Sequence, residues 1–289
     1  MTTHDGSDPS PAAPQKASEV KAWLVAHPDV DPAVLAPHQD QKAAARTAAV
    51  RALGTIGTPR ALEVLGEYAD GSYPDAVLKE LHTAWGRFDR RTFAATMFRQ
   101  AAYTLDLGMA RTVEGIGAVP GLTSLDVVFN GKADLTPLAE CVELRTLRVG
   151  AEGEPGLLGV EPLLDLSELS ELHLTRTTHN ADLAPLAALG VRRLRIDLEG
   201  ADGSFLLRMP QLERLLVSGG SADVVLALVR KGVRVVVFAH ERDWVTGLLE
   251  QAGGAADVFV VEKSGRIGLV DDESKVDELG RHLFSNILP

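Results

Sequence analysis

The chain contains one cysteine, Cys141, and that single residue removes several possibilities. No disulfide framework and no cysteine-based metal cluster can be built from it, and a reducing compartment fits best. Basic charge is also short: 29 Lys and Arg against 40 Asp and Glu leave a net charge of −11. A surplus of acids opposes phosphate neutralisation, so a general nucleic-acid binder or a protein held on an anionic membrane is not expected. Long apolar runs are missing too. The longest, Val224–Val229, is six residues, and stretches such as Val235–Ala239 and Val258–Val261 are shorter, all far short of a bilayer span. Residues Met1 to Pro14 carry Thr, Ser, Asp, Pro and Ala without the apolar core of a signal peptide. Residues 1–16 are therefore expected to be a disordered tail of a cytoplasmic protein.

Helical periodicity occupies residues 17–100. Val20, Trp23 and Leu24 stand at helical spacing, and Pro28, Pro32 and Pro37 break the next stretch into short pieces. Ala45, Ala48, Ala49, Ala52, Leu53 and Ile56 form one apolar stripe, which Gly57 should end. Thr58-Pro59 supplies a cap followed by a first-turn proline, opening a helix lined by Ala61, Leu62, Leu65 and Tyr68. A further helix is expected through Val77, Leu78, Leu81 and Trp85. The run Val50 to Leu62, with glycines and Pro59 at the turn, resembles the HEAT-like repeat family, with a second, degenerate copy extending the likeness over roughly residues 43–98. A plain helical bundle would use the same residues.

The larger part of the chain carries an internal repeat. The frame Leu-x-x-Leu-x-Leu fits Leu122/Leu125/Val127, Leu144/Leu147/Val149, Leu169/Leu172/Leu174, Val191/Leu194/Ile196, Leu212/Leu215/Val217 and Val233/Val236/Phe238. Successive first members lie 22, 25, 22, 21 and 21 residues apart. Partial copies flank these at Leu105/Leu107 and Val258/Val260. Between strands, Asp134-Leu135-Thr136-Pro137-Leu138 is echoed by Asp182-Leu183-Ala184-Pro185-Leu186 and, more weakly, by Val160 to Leu163. In the two full copies Asp can accept from backbone N–H groups and Pro suits the first turn of the return segment. One such unit cannot bury its apolar face alone, whereas a stack builds a continuous core.

This pattern resembles the leucine-rich repeat family over about residues 103–262. The resemblance implies an α/β solenoid of parallel strands that binds a protein on its concave sheet face. Only Asn130 occupies the position where the family places its ladder asparagine; Glu152, Thr177, Glu199 and Gly220 stand at the others. Helices are expected over Ala222–Arg230 and Asp243–Ala252. Val276, Leu279, Leu283, Phe284 and Ile287 share a helical face in an expected terminal cap, residues 264–289, so the solenoid is placed at residues 101–263. The HEAT-like piece, with the Ala84–Asp89 junction, is also similar to the C-terminal sensor regions of actinobacterial NACHT-type STAND ATPases. No ATPase module lies in this chain, and that likeness carries over no catalytic residue.

The chemistry-bearing candidates mostly resolve into structure. Gly131-Lys132 lacks the glycine five residues earlier that a phosphate loop needs. His240-Glu241-Arg242-Asp243 has Trp244 where a zinc helix needs its second His. Cys141 reads as core, His173 as a solvated residue of the sheet face and His179 as a loop residue. Gly219-Gly220-Ser221 lacks the third glycine of a dinucleotide turn, and no Gly-x-Ser-x-Gly elbow exists. Arg192, Arg193 and Arg195 raise nucleic-acid binding, but residues 141–214 hold eight Arg, no Lys and twelve acids. No cofactor, metal or catalytic residue is expected.

Two readings remain. In the first the chain is a non-catalytic interaction scaffold or sensor with a protein partner. In the second, residues 205–289 form an enzyme or small-ligand-binding α/β domain, which would require a doubly wound sheet with a switch point. Strand alternation places Asp106, Asp126, Arg148, His173, Arg195, Leu216, Val237 and Phe259 along the outward face, with Thr146, Glu171, Arg193 and Arg214 beside them. The expected partner-binding residues are Asp126, Arg148, Glu171, His173, Arg193, Arg195 and Arg214, unless a cap or loops cover the apolar end.

Overall fold

A computed structural model describes residues 11–69, 74–99, 104–153, 156–175, 181–198, 201, 203–239, 258–262 and 267–269. Most of the expected C-terminal cap, the helix at Asp243–Ala252, His179 and the His240–Asp243 cluster lie outside these residues. The chain divides into two compact units, residues 1–122 and 123–289.

The first unit is helical. After α1 (Val20–Ala26), Asp31 accepts the Ala33 N–H and starts a 3-10 turn at Pro32–Leu35. Then come α2 (Ala43–Ile56), α3 (Pro59–Gly66), α4 (Asp75–Trp85) and α5 (Arg90–Met97). Gly57 ends α2 in the left-handed region at φ 68°, where a side chain would be strained. Thr58 Oγ1 then accepts the Ala61 N–H with Pro59 in the first turn of α3, as the cap-then-proline order predicts. Close packing depends on small residues: a Cβ on Gly54 would lie 2.6 Å from the Ala84 Cβ of α4. Trp85 is buried against Phe93 and Phe98. Arg51 makes a two-pronged pair with Glu80, at 2.9 and 2.6 Å, which satisfies the one buried carboxylate among the described core residues. Strand β1 (Thr104–Ala110) completes this unit, burying Leu105 and Leu107. His82 Nε2 lies 2.9 Å from the Leu107 carbonyl oxygen.

The second unit is built on strands β2 (Ser124–Asn130), β3 (Thr146–Glu152), β4 (Glu171–Thr175), β5 (Arg193–Asp197), β6 (Arg214–Ser218), β7 (Arg234–Ala239) and β8 (Val258–Glu262). These seven pair in chain order, all parallel, and β9 (Ile267–Leu269) adds antiparallel to β8. Order without a switch point is the solenoid arrangement. Among the described residues of 205–289 the strands show no switch point of the kind a doubly wound sheet requires.

The returns between β2 and β6 are 3-10 turns, each carrying an inward leucine: Leu138, Leu163, Leu186 and Leu206 are buried. Asp134 Oδ1 accepts the Thr136 N–H at 3.0 Å and Asp182 Oδ1 accepts the Ala184 N–H at 2.9 Å, the two caps that the Asp-Leu-x-Pro-Leu echo predicts. Facing them, Leu125, Val127, Leu147, Val149, Leu172, Leu174, Leu194 and Ile196 point from the strands into a continuous core. Between β6 and β7 the return is a full helix, α6 (Ala222–Arg230), which buries Val224, Val225 and Leu228.

Two local expectations are corrected. Asn130 is exposed at the end of β2 in register with Glu152, while Phe129 and Ala151 fill the inward positions beside it. Aliphatic and aromatic packing there replaces an asparagine ladder. The last frame also slips by one residue. Leu215 and Val217 are in register with Val235 and Val237, not with Val236 and Phe238, so Val237 faces the core and is fully buried. The cause is the α6 coil, which brings the chain back into the sheet one residue earlier than a constant period would.

Candidate functional site

The face of the sheet opposite the 3-10 turns is lined by the alternate strand residues, and the register arranges them in rows. One row runs Asp126, Arg148, His173, Arg195, Leu216, Val236 and Phe259. The row beside it runs Ser124, Thr146, Glu171, Arg193, Arg214 and Arg234. All seven expected partner-binding residues therefore lie on one face. Asp106 belongs to the first unit, where its carboxylate accepts the Gly108 N–H and holds a left-handed glycine in β1.

Glu171 is the centre of the polar part. Its Oε1 lies 3.2 Å from His173 Nε2 and 3.5 Å from Arg148 Nη2, and its Oε2 lies 3.1 Å from Arg193 Nη2. Arg148 reaches the other way to Asp126 at 4.0 Å. With its side chain 15% exposed, the Glu171 carboxylate would be costly to hold alone. The hydrogen bond from His173 holds its pKa below the ordinary value, burial opposes this, and the charges of His173, Arg193 and Arg148 add to the lowering. His173, expected as a solvated residue, is only 12% exposed, because strands on either side hold its ring between Arg148 and Arg195. Arg148 Nε is buried without an acceptor.

Arg195 is half-buried, and burial lowers its pKa, with Asp197 opposing and Arg148 adding to the shift. Beyond it the row turns apolar, but Leu216 and Val236 are 6% and 4% exposed, so the apolar end offers little free surface. Among the residues of these rows whose side chains are described, the accessible ones are charged or polar.

Arg234 was not among the expected residues, because the slipped frame hid its place beside Arg214. The signal was there: Arg193-Leu194, Arg214-Leu215 and Arg234-Val235 each put Arg immediately before the first inward aliphatic residue. Arg145 escaped notice because it precedes its strand. It lines an open groove of about 530 Å³ with Ser170, Arg192, Arg193 and Arg214, alongside Glu168 and Glu213.

Elsewhere, Cys141 and the glycine turns are the candidates that fall among the described residues. Cys141 is buried, and burial pushes its thiol up to about 12, far from a nucleophile's range. Gly131, Gly219 and Gly220 occupy left-handed turn conformations. Among the described residues no group of three or more His, Cys, Asp or Glu is placed to hold a metal ion, and no helix is long and apolar enough to cross a membrane.

Comparison with known proteins places residues 45–71, spanning most of α2 and α3, in a match to the PBS lyase HEAT-like repeat. No curated protein matches the sequence. Among solved structures the chain is similar to internalin C2 from Listeria monocytogenes str. 4b F2365, at 18% identity and a TM-score of 0.37, covering 65% of this chain and 93% of that one. The described residues thus comprise a helical segment that matches a HEAT-like repeat over residues 45–71 and a sheet whose parallel strands follow in chain order.

Proposed function

We propose that the chain is a non-catalytic protein-interaction scaffold, or the sensing part of a larger system, that binds a protein partner on the charged open face of its leucine-rich sheet. The observation that carries this is the registered row Asp126–Arg148–His173–Arg195, one residue from each of four successive coils, backed by the Glu171 cluster. A surface assembled one residue per coil is broad and rigid, which suits a protein interface of about 800 Å² per side better than a small substrate. Arginine is also among the residue types that dominate binding energy at such interfaces. A sensing role draws on the resemblance to the C-terminal sensor regions of STAND ATPases. A reducing, cytoplasmic setting belongs to the same reading, with Cys141 kept as a core thiol.

The test is capture of a partner from the native host by wild-type protein and by Arg195→Glu. Arg195 makes no ion pair among the described residues, so its reversal removes no partner from Glu171. Arg148→Glu is a poorer choice, since it would put a third carboxylate beside Glu171 and Asp126. Loss of capture with an unchanged melting temperature supports the reading. Retained capture moves the site to the loops or to the HEAT-like segment.

A further inference from the structure

We propose that the partner presents an acidic, extended segment, which lies across β5–β7 and is held by the arginine row Arg193–Arg214–Arg234 with Arg195 beside it. The inference rests on the open-face reading above and names the chemistry of the partner.

Three observations carry it. The first is the row itself. Arg193 is in register with Arg214, and Arg214 with Arg234, so three like charges stand on neighbouring strands. Like charges directly opposite one another destabilise a sheet, and folding alone gives no reason to keep three. The second is the lack of internal neutralisation. Arg193 shares Glu171, whereas Arg195, Arg214 and Arg234 make no ion pair among the described residues. On the open face of β5–β7 the single acid is Asp197, against four arginines, in a chain whose net charge is −11. Arg195 is held partly out of water in register with His173 and Leu216, with Asp197 of its own strand as the one acid on this face acting on it, a position that an incoming anion relieves further. The third is shape: the groove bounded by Arg145, Arg193 and Arg214 continues the row past the strand starts, and the Ser170 and Gln211 side chains on its wall can bond to a peptide backbone.

Carboxylates on a protein segment suit this arrangement better than nucleic acid. The guanidiniums are set one per strand across two gaps of about 4.8 Å, or roughly 10 Å in all. That is too short to track a phosphate backbone, and Glu171, Asp197, Glu168 and Glu213 around the row repel a continuous polyanion. An extended segment advances about 3.3 Å per residue, so three or four residues span the row, with room between charges for uncharged side chains.

The experiment titrates the full chain into a fluorescein-labelled peptide of alternating Glu and Ser. A Lys/Ser peptide, a phosphoserine peptide and oligothymidylate of matched length are run in parallel, in low and physiological salt. The expected result is binding of the Glu/Ser peptide that weakens with salt, falls about tenfold in Arg214→Gln and in Arg234→Gln, and is unchanged in Arg60→Gln, an exposed arginine of α3. Because the row is a like-charge ladder, Arg214→Gln should melt no lower than wild type, which separates lost binding from lost folding. Absence of Glu/Ser binding, equal binding by the row variants, or tighter binding of oligothymidylate or of the phosphoserine peptide would each overturn the inference. If the Glu/Ser peptide fails while Arg195→Glu still abolishes partner capture, the acidic-segment inference falls and the open-face reading stands.

Discussion

The Glu171 carboxylate lies 3.1 Å from Arg193 Nη2 on the next strand and, through its other oxygen, 3.2 Å from the ring of His173 two residues along its own strand. One acid thus pairs with arginines on the strands to either side of its own, since Arg148 of β3 shares it as well. The arrangement makes Glu171 the residue on which the order of the open face depends.

Replacing it should therefore be costly. Glu171→Ala leaves Arg148 and Arg193 without their shared acceptor on a half-buried surface, and a loss of about 1–3 kcal/mol is expected. Chemical denaturation of the variant against wild type measures this, and a change within error would show that the cluster is merely solvated. The pH dependence comes from the lowered pKa. The unfolded carboxyl takes a proton near 4.5 and the folded one only below that. The stabilisation is complete above about pH 4.5 and is lost as pH falls through the folded value. Glu171→Gln should flatten that acid limb.

His82 gives a dependence in a different range. Burial lowers its pKa below the ordinary 6.5, with the Leu107 carbonyl partly opposing. The unfolded chain then takes up a proton before the folded one does. Stability of the helical unit is complete above about pH 6.5 and declines as pH falls from there toward the folded value. Thermal melts between about pH 7 and pH 5 should show this decline, and His82→Gln should remove most of it.

The two aspartate caps act on the coil rather than on the face. Asp134→Ala or Asp182→Ala removes an acceptor for a backbone N–H at a 3-10 turn and should cost about 0.5–2 kcal/mol. Partner capture per folded molecule should be unchanged. A variant that folds normally and fails to bind would place the site on the turns instead.

Gly54→Ala tests the helical packing. In isolation the change favours a helix by up to about 1 kcal/mol. Here the new Cβ would lie 2.6 Å from the Ala84 Cβ, an atom that cannot swing away. Overpacking should win and destabilise by about 1–3 kcal/mol, read from the thermal midpoint of the helical unit.

Much of this molecule is written in local patterns. The repeat of about 21 to 25 residues, the parallel order it implies, the Gly57-Thr58-Pro59 turn and the Asp134 and Asp182 caps each arise from residues close in sequence, whose conformational preferences need no distant partner. The register of β6 with β7 does not. Val233 to Phe238 is apolar at every position except Arg234, so the run carries no alternation to say which residues face inward. The pairing of Leu216 with Val236 was decided by where the α6 coil returns the chain to the sheet. The same holds for the Glu171 cluster, in which Arg148 and Arg193 stand more than twenty residues from the acid and meet it only because the coils bring their strands about 4.8 Å apart. Local chemistry chose the coil, and cross-strand hydrogen bonding chose which charges became neighbours.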